Sequence, residues 1–134
     1  KYKKNIQFVN FLKNNNCLEN GKYKFKESNL WFDILDYQST KTMETGIAKI
    51  TSEQAFYMAQ LGYVVIAAWK NTSKNGRPHF VTVRPCEEEY RNMNSLKVAH
   101  VGGDGNGIKD ITIAFGSRRL TQINFYCNIN QNFI

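Results

Sequence analysis

His79 opens an apolar run, Phe80-Val81-Thr82-Val83, directly after Pro78 and a polar loop, Asn71-Thr72-Ser73-Lys74-Asn75-Gly76-Arg77. Imidazole is the side chain whose ordinary pKa best suits proton transfer near neutral pH. Set on a strand at a loop edge, it is rigidly held and still reaches a cleft, which is how a general base is mounted. The plainer reading is a half-exposed histidine at the start of a strand. His100 lies in a second apolar run, Leu96-Lys97-Val98-Ala99-His100-Val101, and is the candidate that would fix the tautomer of His79. It reads equally well as a core histidine bonded to backbone. Trp69 ends an apolar run just before the polar loop, and Asn71 begins that loop. Both are candidates to line a substrate cleft; the alternatives are a core tryptophan and a turn-forming asparagine.

A base needs a nucleophile to activate. Cys17, Cys86 and Cys127 are odd in number and form no Cys-x-x-Cys pair. That spacing argues against a disulfide framework and against a cysteine zinc site. One disulfide with a free thiol remains open. No cofactor or metal is implied by these residues.

The elements that must carry them follow from periodicity. Residues 5–15 predict a first helix, since Ile6, Phe8, Val9 and Leu12 recur at helical spacing. Asn14-Asn15-Asn16 ends it. Residues 18–30 are polar and turn-rich around Asn20-Gly21, residues 30–35 predict a short helix, residues 39–42 a loop and residues 45–50 an extended stretch. Thr51 or Ser52 caps a helix over 53–61, with Ala55, Met58, Ala59 and Leu61 as its buried stripe and Gly62 as its stop. Residues 63–69, Tyr-Val-Val-Ile-Ala-Ala-Trp, are continuously apolar and predict a buried central strand. Residues 79–84 predict its hairpin partner, and 96–101, 109–115 and 122–127 predict three more strands. Helices first and then an antiparallel meander is the α+β class, in one domain over 1–134.

The net charge is +7, with 42% hydrophobic and 22% charged residues. Seven Lys against Glu19 and Glu27 place +5 of this within residues 1–30. A basic face suits an anionic partner such as a cell-wall polymer, a lipid headgroup or nucleic acid, or it serves solubility alone. No zinc finger, basic helix or Gly-rich RNA motif accompanies it, which argues against nucleic acid. No run approaches the ~20 apolar residues that span a membrane. The chain opens on Lys-Tyr-Lys-Lys without Met or signal peptide and reads as a processed or excised piece, so its compartment is not set by that absence.

Three segments together resemble the papain-like bacterial peptidoglycan hydrolases of the NlpC and CHAP group. Asn5-Ile6-Gln7-Phe8-Val9 is similar to the Cys-Asn-x-Phe-Val of their first helix. Gly62-Tyr63-Val64-Val65-Ile66-Ala67-Ala68-Trp69, then Gly76-Arg77-Pro78-His79-Phe80-Val81-Thr82-Val83, resembles their core of Gly-x-Val-Val-Ala followed by Gly-His-Val-Ala-Val. Lys97-Val98-Ala99-His100-Val101-Gly102 stands where they carry a third polar catalytic residue. The resemblance implies a papain-like fold with helices packed on an antiparallel sheet. It implies His79 as base, His100 as its orienter, and Asn5 in the place of the nucleophile. It also implies a bacterial, extracytoplasmic setting with peptidoglycan, another anionic wall polymer or a protein as partner. An amide at the nucleophile position cannot attack a carbonyl. Three functions follow: an inactive or altered hydrolase that binds wall peptide or a partner, an active cysteine hydrolase using a thiol outside the expected position such as Cys17, or a basic surface- or nucleic-acid-binding module.

Overall fold

The computed structural model describes residues 18–19, 22–23, 30–72, 78–100 and 107–132. The expected first helix, with Asn5, lies outside the described residues, as does Cys17. The architecture is α+β: helices pack on a six-stranded antiparallel sheet. Strands β1 (Leu18–Glu19) and β2 (Lys22–Tyr23) pair antiparallel in a separate two-stranded ladder. Helix α1 (Leu30–Ser39) is longer than the sequence pattern predicts. The expected loop after it contains a one-turn helix, α2 (Thr42–Thr45). Strand β3 (Ile47–Ile50) and helix α3 (Ser52–Gln60) follow.

Helix α3 starts where its chemistry dictates. The Thr51 hydroxyl accepts from the Gln54 amide, and the Gln54 side chain accepts from the Thr51 amide. This reciprocal pairing satisfies two of the amides that a helix start leaves over. The far end closes on Gly62, whose φ of +88° is left-handed and favours glycine. The buried stripe is Ala55, Phe56 and Ala59. Leu61, expected within it, is exposed because it sits at the cap, past the last turn that faces the sheet.

Strands β4 (Tyr63–Trp69) and β5 (His79–Arg84) coincide with the two runs read from the sequence. Strand β6 (Lys97–His100) and strand β7 (Gly107–Asp110) continue the meander. Residues 111–115, expected to be strand, are helix α4 (Ile111–Phe115). Ile111, Ile113 and Phe115 alternate like a strand. However, Ile111 and Phe115 are buried, four apart, while Ile113 is exposed, which is helical spacing. A 3₁₀ turn over Ser117–Gln122 leads into the longest strand, β8 (Ile123–Asn132).

The strand order is β3-β8-β4-β5-β6-β7. The expected meander therefore holds only from β4 to β7, and β8 returns to the middle of the sheet between β3 and β4. One face carries the main core: α3 and α4 cover Val65, Ala67, Val81, Val83, Val98, Phe125 and Cys127. On the opposite face α1 packs Phe32 onto Ala68 and Tyr126, the rings meeting edge to face at 6.3 Å. No described helix is long and apolar enough to cross a membrane.

Candidate functional site

The register across the sheet brings Trp69 and His79 together. Trp69 pairs with His79 on one side and with Ile123 on the other. Ile123, Trp69 and His79 thus stand in one row across β8, β4 and β5, sharing a face as cross-strand partners do. Val81 and Val83, which alternate with the exposed Thr82 and Arg84, are buried on that same face. His79 therefore points to the covered side of the sheet, at its rim. The ring is half-buried, already partnered, and meets the edge of Phe115 at 5.1 Å with the planes at 67°.

A single short segment builds the wall over this row. Helix α4 delivers Phe115 to His79. Gly116 then donates its amide to the Thr112 carbonyl at 2.8 Å and turns the chain at a φ of +84°, a left-handed value that favours glycine. The following 3₁₀ turn swings Arg119 over Trp69, its guanidinium carbon 3.9 Å from the ring centre. At the end of that turn the Gln122 side-chain oxygen accepts a 2.9 Å hydrogen bond from Trp69 Nε1. Burial of an indole N–H without a partner would cost roughly 1–3 kcal/mol, so Gln122 is what permits a tryptophan only 8% exposed to sit here. Arg119 itself is exposed.

The other expected site residues stand as follows. Asn71 lies two residues past Trp69, half-buried and already partnered. The backbone of His100 ends β6, the antiparallel neighbour of β5; Ala99 pairs with Thr82 and His100 with Gly107. Asn5 lies outside the described residues, as do residues 73–77 and 101–106, which flank His79 and follow His100.

The described thiols do not serve His79. Cys86 lies beyond the far end of β5, and at about 3.3 Å per residue the strand alone spans roughly 16 Å. Its sulfur rests near the Glu88 and Ser95 carbonyl oxygens, at 3.8 and 3.9 Å. Cys127 pairs with Val65, four residues along β8 from Ile123, again roughly 16 Å from His79 by strand spacing. It is fully buried, and burial pushes its thiol pKa up, away from the nucleophilic thiolate.

Two open clefts among the described residues lie away from His79. One, of about 360 Å³, is lined by Phe56, Tyr57, Gln60, Cys86, Glu88, Glu89 and Tyr90. The other, of about 560 Å³, lies along β7 against Ile108, Asp110, Ile113 and Lys97. Sequence reasoning missed Phe115, Arg119 and Gln122. A readable signal existed for the first: Gly116 directly after Ile111-Thr112-Ile113-Ala114-Phe115 is a helix stop. None existed for the stacking of Arg119 on a tryptophan fifty positions earlier.

What the arrangement offers chemically is a rim-mounted imidazole beside an aromatic wall, with the guanidinium of Arg119 at its edge. Among the described residues no His, Cys, Asp and Glu side chains converge as a metal site. Comparison with protein-family models, with curated proteins and with solved structures finds no match to this chain.

Proposed function

We propose that the chain is a papain-like peptidoglycan-hydrolase domain that has lost its nucleophile and binds cell-wall peptide along the sheet rim at His79. The observation that carries this reading is the position of His79. It opens β5, on the covered face, in register with Trp69, at the residues where the sequence resembles the family's core. A base at the rim of a helix-covered sheet suits acyl chemistry when a thiol stands opposite it. Here the resemblance puts Asn5 in that place, and neither Cys86 nor Cys127 is within reach. A site that keeps its base and aromatic wall without an attacking group retains binding, while turnover falls by several powers of ten. The setting this implies is a bacterial cell envelope, outside the cytoplasm, with the basic charge favouring the anionic wall.

The test incubates wild type, Asn5→Cys, Asn5→Cys with His79→Ala, and Cys17→Ala with purified cell wall, measuring co-sedimentation and released amines. Wild type is expected to co-sediment and release nothing. Asn5→Cys is expected to release amines only while His79 is present. Cleavage by wild type that vanishes in Cys17→Ala would mean a working enzyme with Cys17 as nucleophile. Failure of wild type to co-sediment at low salt would end the wall-binding reading.

A further inference from the structure

Arg119 is held in a way that packing alone does not require. Its guanidinium lies over the Trp69 ring; among the described residues that side chain has no carboxylate partner and no side-chain hydrogen bond, while its backbone amide donates to the Gly116 carbonyl at 3.2 Å. By contrast Lys49, Lys70 and Lys97 each pair with an aspartate. Stacking fixes the plane of the guanidinium and leaves its N–H edge in water. Trp69 is in turn fixed by its bond to Gln122, so the platform does not turn. A planar fork of donors, already oriented and beside an apolar wall, matches the two coplanar oxygens of a carboxylate. Pre-orientation lowers the entropy that a flexible cation would lose on binding.

We infer that Arg119, stacked on Trp69, binds a carboxylate of the ligand that lies along the rim at His79. The inference takes that binding surface from the reading above and adds the ligand class: an acidic peptide. Trp69 and His79 are cross-strand neighbours, so the ring that carries Arg119 stands in the same row as the histidine, one strand spacing away, about 5 Å. An acidic group on the peptide would set its register against His79.

The experiment follows the side-chain N–H resonances of Arg119 and Trp69 in the 134-residue chain by NMR. The titrants are N-acetylglycine, its neutral amide and sodium phosphate; a fourth is a wall stem peptide with free carboxylates, beside the same peptide methylamidated. N-acetylglycine is expected to shift both resonances and its amide to shift neither. The stem peptide is expected to bind tenfold or more tightly than its methylamide, the worth of one charge-assisted pair. Arg119→Gln should remove that preference, Arg119→Lys should recover only part of it, and Arg118→Gln should keep it. Equal shifts from acid and amide, a preference that survives Arg119→Gln, or phosphate outcompeting the carboxylate would overturn the inference. If N-acetylglycine binds at Arg119 while the stem peptide does not, the carboxylate site stands and the cell-wall reading falls.

Discussion

On the face of the sheet under α3 and α4, Val65, Ala67, Val81, Val83, Val98, Phe125 and Cys127 form an apolar interior, and Trp69, His79 and Arg119 stand at its rim. On the face under α1 the apolar cluster is small, and a polar network runs through it. Tyr126 donates to Asp36 at 2.9 Å and accepts from Asn124 at 3.0 Å; Lys49 reaches Asp36 and Lys70 reaches Asp33. The polar groups of the second face pair with one another, Asp36 and Asp33 each holding a lysine that stays partly in water. At the rim of the first face the Arg119 guanidinium rests on an aromatic ring and meets no carboxylate among the described residues. One face closes its charges in pairs, the other stacks a cation at its edge, and that edge is where the proposed carboxylate would bind.

The comparison breaks most easily at the aromatic anchors. Phe125→Ala, in the apolar interior, is expected to cost about 3–5 kcal/mol in urea denaturation. Phe32→Ala, under α1 and 9% exposed, is expected near or below the lower end of that range because its site can refill with water and side chains. Equal losses would mean that α1 anchors the fold as firmly as the main core does.

Alkaline pH separates the faces through two neighbours on β8. Burial raises the pKa of both Tyr126, on the α1 face, and Cys127, on the interior face. Each keeps its proton in the folded state at a pH where the unfolded chain has lost it. Their contribution is therefore whole below the unfolded pKa and drains as pH rises through the folded one, by up to about 1.4 kcal/mol per pH unit for each group. The Cys127 loss begins near 9.0 and the Tyr126 loss near 10.0, their ordinary values. Lys97, held protonated by its bond to Asp110, adds a smaller loss above 10.5. In urea midpoints measured from pH 8 upward, Cys127→Ala should delay the decline and Tyr126→Phe should flatten its later part. An unchanged profile in both variants would mean that neither group is shielded.

At neutral pH, Tyr126→Phe removes one hydroxyl shared by Asp36 and Asn124 and is expected to cost about 1 kcal/mol. The smallest effect belongs to the ion pair of Lys70 with Asp33, both more than a third exposed. Asp33→Asn should cost at most about 0.5 kcal/mol, and less at high salt. A loss above 1 kcal/mol that salt does not soften would show the α1 network to be a cooperative unit.

Much of the sheet was legible in the sequence because local signals agree there. The unbroken apolar run of β4, the alternation of β5 and the Thr51 and Gly62 boundaries of α3 each reflect contacts made by neighbours in sequence. Alternation misled at Ile111, Ile113 and Phe115, where three residues fit either period and the covering helix α4 was taken for a strand. The place of β8 was not legible at all, since strand order is set by long-range pairing. Of the site, His79 and Trp69 were found as separate residues. Their shared row and the Arg119 stack depend on register across three strands, which no local pattern encodes.

The insertion of β8 also dictates when this protein can fold. Ile50 is followed along the chain by α3 and Tyr63, but in space it lies against Phe125. Until residues 123–132 are made, β3 and β4 lack the strand that lies between them, and the amides and carbonyls that would pair with it have no partner there. Edges of that kind recruit foreign strands. The sheet closes only when residues 123–132 have emerged and threaded between them, a late step of high sequence separation and so a slow one. The nascent chain is therefore most exposed to misassembly just before β8 arrives.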